Sequence, residues 1–334
     1  MEYRSLGRTG VKVSSLCLGC MNFGDRTDES DSMDIIDRAI EGGINFLDTA
    51  NAYGRGTSEE IVGKALQRNG KRGRVVLATK VHGTMDPDDP NGKGNHRRHI
   101  IEQCEASLRR LQTDWIDLYQ IHRPSADTPL DETLRALDDL IRAGKVRYVG
   151  TSTFPAWQVM ESLWIAKELG LNRFVSEQPP YHPLERRIER ELVPLCRTYG
   201  IAIIPWAPIA EGFFSGKYRR DQDERPQGRL KKKHKWNNRH FVPAAFDVLE
   251  TMEKIAEKHG VQVAEATLAW NAGQPGITSP ITGPRTMEQL ESSLRAAEVQ
   301  LDDEDREQVD AVAEPGDAIT RYYSLPSDPG VRWV

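Results

Sequence analysis

The stretch DWIDLYQIHRPSADTPLDETLRALDDLIRAGKVRYVGTSTF, Asp114 to Phe154, decides the fold. It opens on a run of β-branched and aliphatic residues, Ile116 to His122, and closes on another, Val146 to Ser152. Between them Leu134, Leu137 and Ile141 fall on one face of a helix that Thr128 and Pro129 open and Gly144 ends. Strand, helix and strand in this order make a βαβ unit, whose two strands run parallel.

The same alternation continues in both directions. The strand candidates are Ser14 to Gly19, Ile44 to Asp48, Val75 to Lys80, Ile116 to His122, Val146 to Ser152, Phe174 to Gln178, Ile201 to Trp206 and Ser279 to Gly283. The first seven recur about every 30 to 40 residues, the length of one βα unit. Thr57 with Glu60 reads as a capping box before Ile61, Ala65 and Leu66, and Ile100, Ile101, Cys104, Leu108 and Leu111 share one helical face. Eight such units close a sheet without leaving an edge, so the predicted fold is an α/β chain of the (β/α)8 TIM-barrel type. We expect one domain over residues 1–334, with residues 1–13 forming an N-terminal hairpin that plugs the barrel. About 70 residues separate the seventh and eighth strands. They include a polar stretch, Arg219 to Arg239, and helical patterns near Ala244 to His259 and Ala264 to Ala272. Residues 209–243 are expected to form a loop over the active face. Residues 315–334 read as a tail whose Tyr322, Tyr323 and Trp333 are candidates to cover the mouth.

Composition narrows the function classes. A formal net charge of -5 gives no general attraction for nucleic acid or an anionic membrane. The basic run Lys231 to Lys235 reads as a solvated loop within the polar insertion. No apolar run approaches the roughly 18 residues of a spanning helix, and MEYRSLGRTG lacks the pattern of a secretory signal, so a cytoplasmic enzyme is expected. Four cysteines are too few for a disulfide framework, and Cys17 and Cys20 have no second ligand pair that would suggest a metal. No metal site is expected. The absence of G-x-G-x-x-G after a strand disfavours a Rossmann cofactor domain, and GFFSGKY, Gly212 to Tyr218, lacks the spacing and hydroxyl of a phosphate loop.

Polar residues collect at the C-terminal ends of the strands. Asp48, Lys80, His122, Ser152 and Gln178 end the second to sixth, and Trp206 ends the seventh. In a barrel these ends surround one mouth, where such folds do chemistry. Asp48 and Lys80 would pair there, and Tyr53, on the same loop as Asp48, would bring its hydroxyl to the ammonium. A free tyrosine has a pKa of about 10, and a neighbouring cation stabilises its phenolate, which suits a proton donor.

These segments resemble the aldo-keto reductases over nearly the whole chain, from LGRTGVKVSSLCLG (Leu6 to Gly19) to ITGPRTMEQL (Ile281 to Leu290). INFLDTANAYG, LATK and DWIDLYQIHRP are similar to the family's catalytic segments, and the resemblance implies Asp48, Tyr53, Lys80 and His122 as catalytic residues. It implies Tyr53 as general acid, Lys80 and Asp48 as the groups that tune it, and His122 as the orienter of the substrate carbonyl. The same resemblance implies NADPH (NADP+) as cofactor and a small carbonyl compound as substrate. GKVRYVGTSTF carries over Ser152 and Thr153, with Gln178, to the nicotinamide carboxamide, and Trp206 to its ring face. By the same resemblance Met21 would lie beside the nicotinamide, and Asp48 would count among the cofactor-binding residues as well. PWAPIAEGFFSGKY puts Ala207, Pro208, Ile209, Ala210 and Lys217 along the pyrophosphate. Gly283, Arg285 and Gln289 match positions around the 2'-phosphate and adenine. Ser292 and Ser293 stand where most relatives have Glu-Asn, so Ser293 makes a weaker adenine clamp. Arg285 with Lys217 favours NADPH over NADH.

Two other readings compete. The potassium-channel beta subunits resemble this chain and keep NADPH while acting as regulators, but they commonly carry an amide at the position of His122. A Schiff-base aldolase would need an uncharged Lys80, which Asp48 opposes. Aldehydes, ketones, sugars and keto-steroid-like molecules stay open as substrates, as does the oligomeric state.

Overall fold

The computed structural model describes residues 1–222, 224–233, 235–320 and 322. Its chain begins with an antiparallel hairpin, β1 (Tyr3–Ser5) and β2 (Lys12–Ser14), in which Tyr3 pairs with Ser14 and Ser5 with Lys12. The turn lies flat against the barrel floor: a Cβ on Gly7 would come within 2.6 Å of the Gly200 carbonyl oxygen and 2.7 Å of that of Val175. Gly7 also has φ +57°, so glycine meets both demands of this turn. Leu6 and Val13 are thereby driven inside.

Eight parallel strands follow: β3 (Cys17–Gly19), β4 (Phe46–Asp48), β5 (Val76–Val81), β6 (Ile116–Ile121), β7 (Val146–Ser152), β8 (Phe174–Gln178), β9 (Ala202–Ile203) and β10 (Ile281–Thr282). Each pairs with its neighbour in sequence, and β10 returns to pair with β3. Between β9 and β10 the ring closes through Thr278 N–H to the Ile203 carbonyl at 2.9 Å and Ile281 N–H to that of Pro205 at 2.8 Å. The chain is a (β/α)8 barrel. Its last two strands are shorter than their apolar runs suggest. Pro205 and Pro280 interrupt those runs and have no N–H to give to a ladder. Trp206 consequently lies beyond β9, and His122 just beyond β6.

Helices α1 (Glu29–Glu41), α2 (Thr57–Asn69), α3 (Arg97–Leu111), α4 (Leu130–Arg142), α5 (Ala156–Leu169) and α6 (Leu192–Tyr199) cover the outside. After β9 come α7 (Lys235–Asn238), α8 (Pro243–His259) and α9 (Val263–Ala272), and after β10 come α10 (Met287–Ala296) and α11 (Asp303–Val312). Two helix starts differ from expectation. Thr57 is inside α2 rather than its cap, and its hydroxyl donates to the Gly54 carbonyl at 2.9 Å while Gly56, at φ +103°, stands at the cap. Pro129, not Thr128, caps α4, without a side-chain bond. None of the helices among the described residues is long and apolar enough to cross a membrane.

Alternation along the strands divides the barrel interior into layers. Leu6, Val13, Cys17, Phe46, Val76, Ala78, Leu118, Val175, Ala202, Ile204 and Ile281 form one apolar cluster. Two residues further along several of the same strands come Asp48, Lys80 and Gln120, so the polar layer lies on top of the apolar one. Cys17 belongs to the lower layer and Cys20 to the outer core; both thiols are free, and burial raises their pKa. Lys231, Lys232 and Lys233 are exposed, and His234 lies outside the described residues.

Candidate active site

Lys80 is fully buried at the upper end of β5, and its ammonium has three partners. It is ion-paired with Asp48, donates to the Thr49 carbonyl at 2.8 Å and lies 3.2 Å from the Tyr53 hydroxyl oxygen. Burial disfavours its charge, but Asp48 and Tyr53 outweigh that penalty and raise its pKa above the ordinary lysine value. The second Asp48 oxygen accepts from the side-chain amides of Gln120 at 2.9 Å and Gln178 at 3.0 Å, and Gln178 also donates to Gln120 at 3.1 Å. Four strands, β4, β5, β6 and β8, are thus tied through one carboxylate, and a buried ion pair is stable only when its remaining hydrogen-bonding capacity is filled in this way. Gln120 is absent from the residues expected on sequence. Its signal was the inward parity it shares with Leu118 and His122.

Tyr53 follows β4 in a short 3-10 turn, Tyr53–Gly56, and its ring meets that of His122 edge-on at 5.6 Å between centroids. Burial, with the Lys80 and Arg123 charges, holds the His122 pKa well below that of a free histidine, so its imidazole is neutral. Such a ring can donate one hydrogen bond without bringing a charge.

A cleft of about 580 Å³ opens above this group and runs to the start of α10. Of the residues expected to bind cofactor, Met21, Asp48, Ser152, Gln178, Trp206, Ala207, Pro208, Ile209, Lys217, Gly283, Arg285, Gln289 and Ser293 line it. Thr153 and Ala210 do not line it. Thr153, at φ +62°, is buried with its hydroxyl accepting from Arg123, while Ala210 is buried at the start of the loop after β9. Ser152 donates its hydroxyl to the Gln178 carbonyl at 2.9 Å. The indole N–H of Trp206 is buried with no hydrogen-bond partner among the described residues. At the far end the Arg285 backbone N–H donates to the Gln289 side chain at 2.9 Å, and Thr286 caps α10. Ser293 is engaged by Thr282 at 2.6 Å and by the Gln289 carbonyl at 3.0 Å, and Ser292 donates to Glu265 at 2.9 Å.

The long insertion folds over the cleft around Glu211. This buried carboxylate, on a backbone with φ +58°, accepts from Arg239 at 2.8 Å and the Trp236 indole at 3.3 Å, and pairs with Arg229 at 3.5 Å and His240 at 3.4 Å. Burial opposes its charge, yet His240, Arg229 and Arg239 hold its pKa well below the usual carboxylate range. Tyr322 of the tail lies edge-on to Trp206 at 4.9 Å and to Trp236 at 5.0 Å. Tyr323 and Trp333, also expected over the mouth, lie outside the described residues.

Comparison with known proteins agrees with this geometry. The model of the aldo/keto reductase family matches residues 15–314. The chain is 40% identical over 312 residues to an uncharacterized oxidoreductase, YrpG, of Bacillus subtilis (strain 168), covering 91% of this chain and 93% of that one. It is 35% identical to a probable voltage-gated potassium channel subunit beta of Arabidopsis thaliana, over 90% of this chain and 92% of the other. To the versiconal hemiacetal acetate reductase of Aspergillus parasiticus it is 34% identical, over 91% and 95%. With a barrel of this topology, a buried Asp–Lys pair reaching a half-buried Tyr at its mouth and a match over nearly its full length, the chain belongs to the aldo/keto reductase family of oxidoreductases.

Proposed function

We propose that this chain reduces an aldehyde or ketone to the alcohol with NADPH, and that Tyr53 delivers the proton. The observation that carries the reading is the Lys80 ammonium bridging the Asp48 carboxylate and the Tyr53 hydroxyl at the base of the cleft. A carbonyl oxygen that gains negative charge needs a proton from a group able to lose one, and the phenolate left on Tyr53 would face a cation already in place. Asp48 keeps that cation charged. His122, neutral and edge-on to Tyr53, is suited to orient the carbonyl oxygen by a hydrogen bond.

The donor set along the cleft fits a dinucleotide phosphate. Members of the family generally use NAD(P)H, which supplies the hydride when bound. Ser152 and Gln178 would hold the carboxamide, and the Trp206 ring would cover one face of the nicotinamide. The loop after β9, residues 209–243, would cover the pyrophosphate, with Lys217 as its cation. Arg285, beside the N-terminal end of α10, suits a phosphate dianion through both its guanidinium and the helix dipole. Neither Ser293, already hydrogen-bonded within the protein, nor Ser292 offers the carboxylate and amide grip that many relatives place there.

The test is loss of NADPH and NADH absorbance against a panel of carbonyl compounds, with cofactor binding measured for wild type and Arg285→Ala. Turnover with NADPH is expected. Arg285→Ala should weaken NADPH about tenfold or more and leave NADH within about twofold, since a charge-assisted hydrogen bond to phosphate is worth about 1.5–3 kcal/mol. Tight NADPH binding without turnover of any carbonyl would instead favour a regulatory subunit like the plant relative.

A further inference from the structure

We infer that Arg123 makes the substrate end of the cleft a receptor for a carboxylate, and that the carbonyl compound reduced here carries that carboxylate on an aromatic ring. This rests on the carbonyl-reductase reading. Arg123 directly follows His122 and lines the cleft with Tyr53, Trp206, Trp236 and Tyr322. Its guanidinium donates to the Thr153 hydroxyl and, at 3.1 Å, to that of Tyr322, and lies 5.9 Å from the centroid of the Trp206 ring. Both hydroxyl acceptors are neutral. Among the described residues no carboxylate pairs with it; Arg72, Arg110 and Arg239 are neutralised by Asp117 at 2.8 Å, Glu59 at 2.6 Å and Glu211 at 2.8 Å, while half-buried Arg173 and Arg225, which likewise lack a carboxylate, donate to backbone carbonyls instead.

The other charges near the mouth do not answer this one. The Lys80 cation and the Asp48 anion satisfy each other beneath Tyr53, His122 is neutral, and Glu177, the carboxyl that feels Arg123 from beneath Thr153, makes no ion pair with it and is kept protonated by burial, its pKa pushed up to about 8. Arg123 therefore leaves an uncompensated positive charge beside the reacting group. A guanidinium presents five N–H donors in a plane, a shape matched to the two oxygens of a carboxylate. With the Trp206 ring given to the nicotinamide, the walls left beside Arg123 are the Tyr53, Tyr322 and Trp236 rings, Tyr322 edge-on to Trp236 at 5.0 Å. Such walls favour an aromatic ring over a flexible chain. In the reaction the carbonyl carbon gains the hydride and its oxygen the proton, while the carboxylate stays ionised and unchanged.

Steady-state kinetics with 4-carboxybenzaldehyde and its neutral methyl ester, methyl 4-formylbenzoate, test the assignment. Wild type should use the acid with a kcat/KM at least about tenfold above that of the ester. In Arg123→Gln the acid should lose that advantage through KM, with the ester within about threefold and NADPH binding unchanged; Arg123→Lys should restore part of it. Equal use of acid and ester by wild type overturns the inference while leaving the reductase reading intact. A parallel fall for both substrates in Arg123→Gln, or weaker NADPH binding, also overturns it and assigns Arg123 to holding Tyr322 and Thr153 or to the cofactor. Should neither aldehyde turn over, the aromatic-aldehyde substrate is overturned while the reductase reading rests with the wider carbonyl panel, and terephthalate binding to the NADPH-loaded protein decides the receptor: binding lost in Arg123→Gln upholds it, and no binding by wild type ends it.

Discussion

The lower and upper halves of the barrel interior are built on the same strands and obey opposite chemistry. Below, Leu6 and Val13 of the hairpin join Phe46, Val76, Leu118 and Ile204 in a core held by burial alone. Above, Asp48, Lys80, Gln120 and Gln178 form a closed polar network with a buried ion pair. Replacing such a pair by apolar residues is often neutral or stabilising, so the upper half is not an optimum for folding. The difference teaches that the fold is secured from below, which leaves the upper layer free to serve a site.

Four measurements would break or sharpen this contrast. Tyr53→Phe keeps the ring against His122 and removes only the hydroxyl, so turnover should fall about 10²- to 10⁴-fold with NADPH binding within about twofold. Equal loss of both would make Tyr53 a structural member of the upper layer. Asp48→Ala strands the buried Lys80 ammonium and should cost about 3–5 kcal/mol in denaturant unfolding, most of it recovered when Lys80→Met is added. A double variant no more stable than the single would show that the network supports the fold after all. Leu6→Ala, in the floor, should cost about 3 kcal/mol yet leave kcat unchanged well below the unfolding temperature; a drop in kcat would mean that the halves are coupled.

The smallest effect concerns Glu177, which lies beneath the turn carrying Ser152 and Thr153 and accepts the Phe154 N–H at 3.0 Å. Burial pushes its pKa up to about 8 from 4.5, despite the hydrogen bonds that oppose the shift. The fold therefore holds a proton that the unfolded chain releases. The stability this provides is complete below about pH 4.5 and is lost as pH rises through about 8. Glu177→Gln removes the titration, so its Tm should overtake that of wild type by a few degrees, roughly, at pH 9 and not at pH 5. Parallel melting curves across that range would show that Glu177 is ionised in the fold.

Much of the site was legible in the strand ends because period two makes inward-facing positions readable once the strands are located. Asp48, Lys80, His122 and Gln178 stand where that reading put them, at or just past the ends of their strands. Gln120 was hidden inside an apolar run, where a single polar residue looks like a tolerated exception. Arg123, one position past the run Ile116 to His122, carries no local signal of a role. Its meaning depends on Thr153 and Tyr322, 30 and 199 positions away. Thr57 failed as a cap because Gly54 and Gly56 turn the chain with positive φ and bring the hydroxyl back to a carbonyl instead.

The alternation of apolar strands with amphipathic helices was enough to dictate a closed parallel barrel, since both are local patterns that only a few architectures can bury. Which side chains touch across the ring, which charge keeps a partner and which goes without were decided only by the tertiary structure. Those contacts join residues from different strands and loops, and their energies depend on burial and distance, neither of which has a local signature.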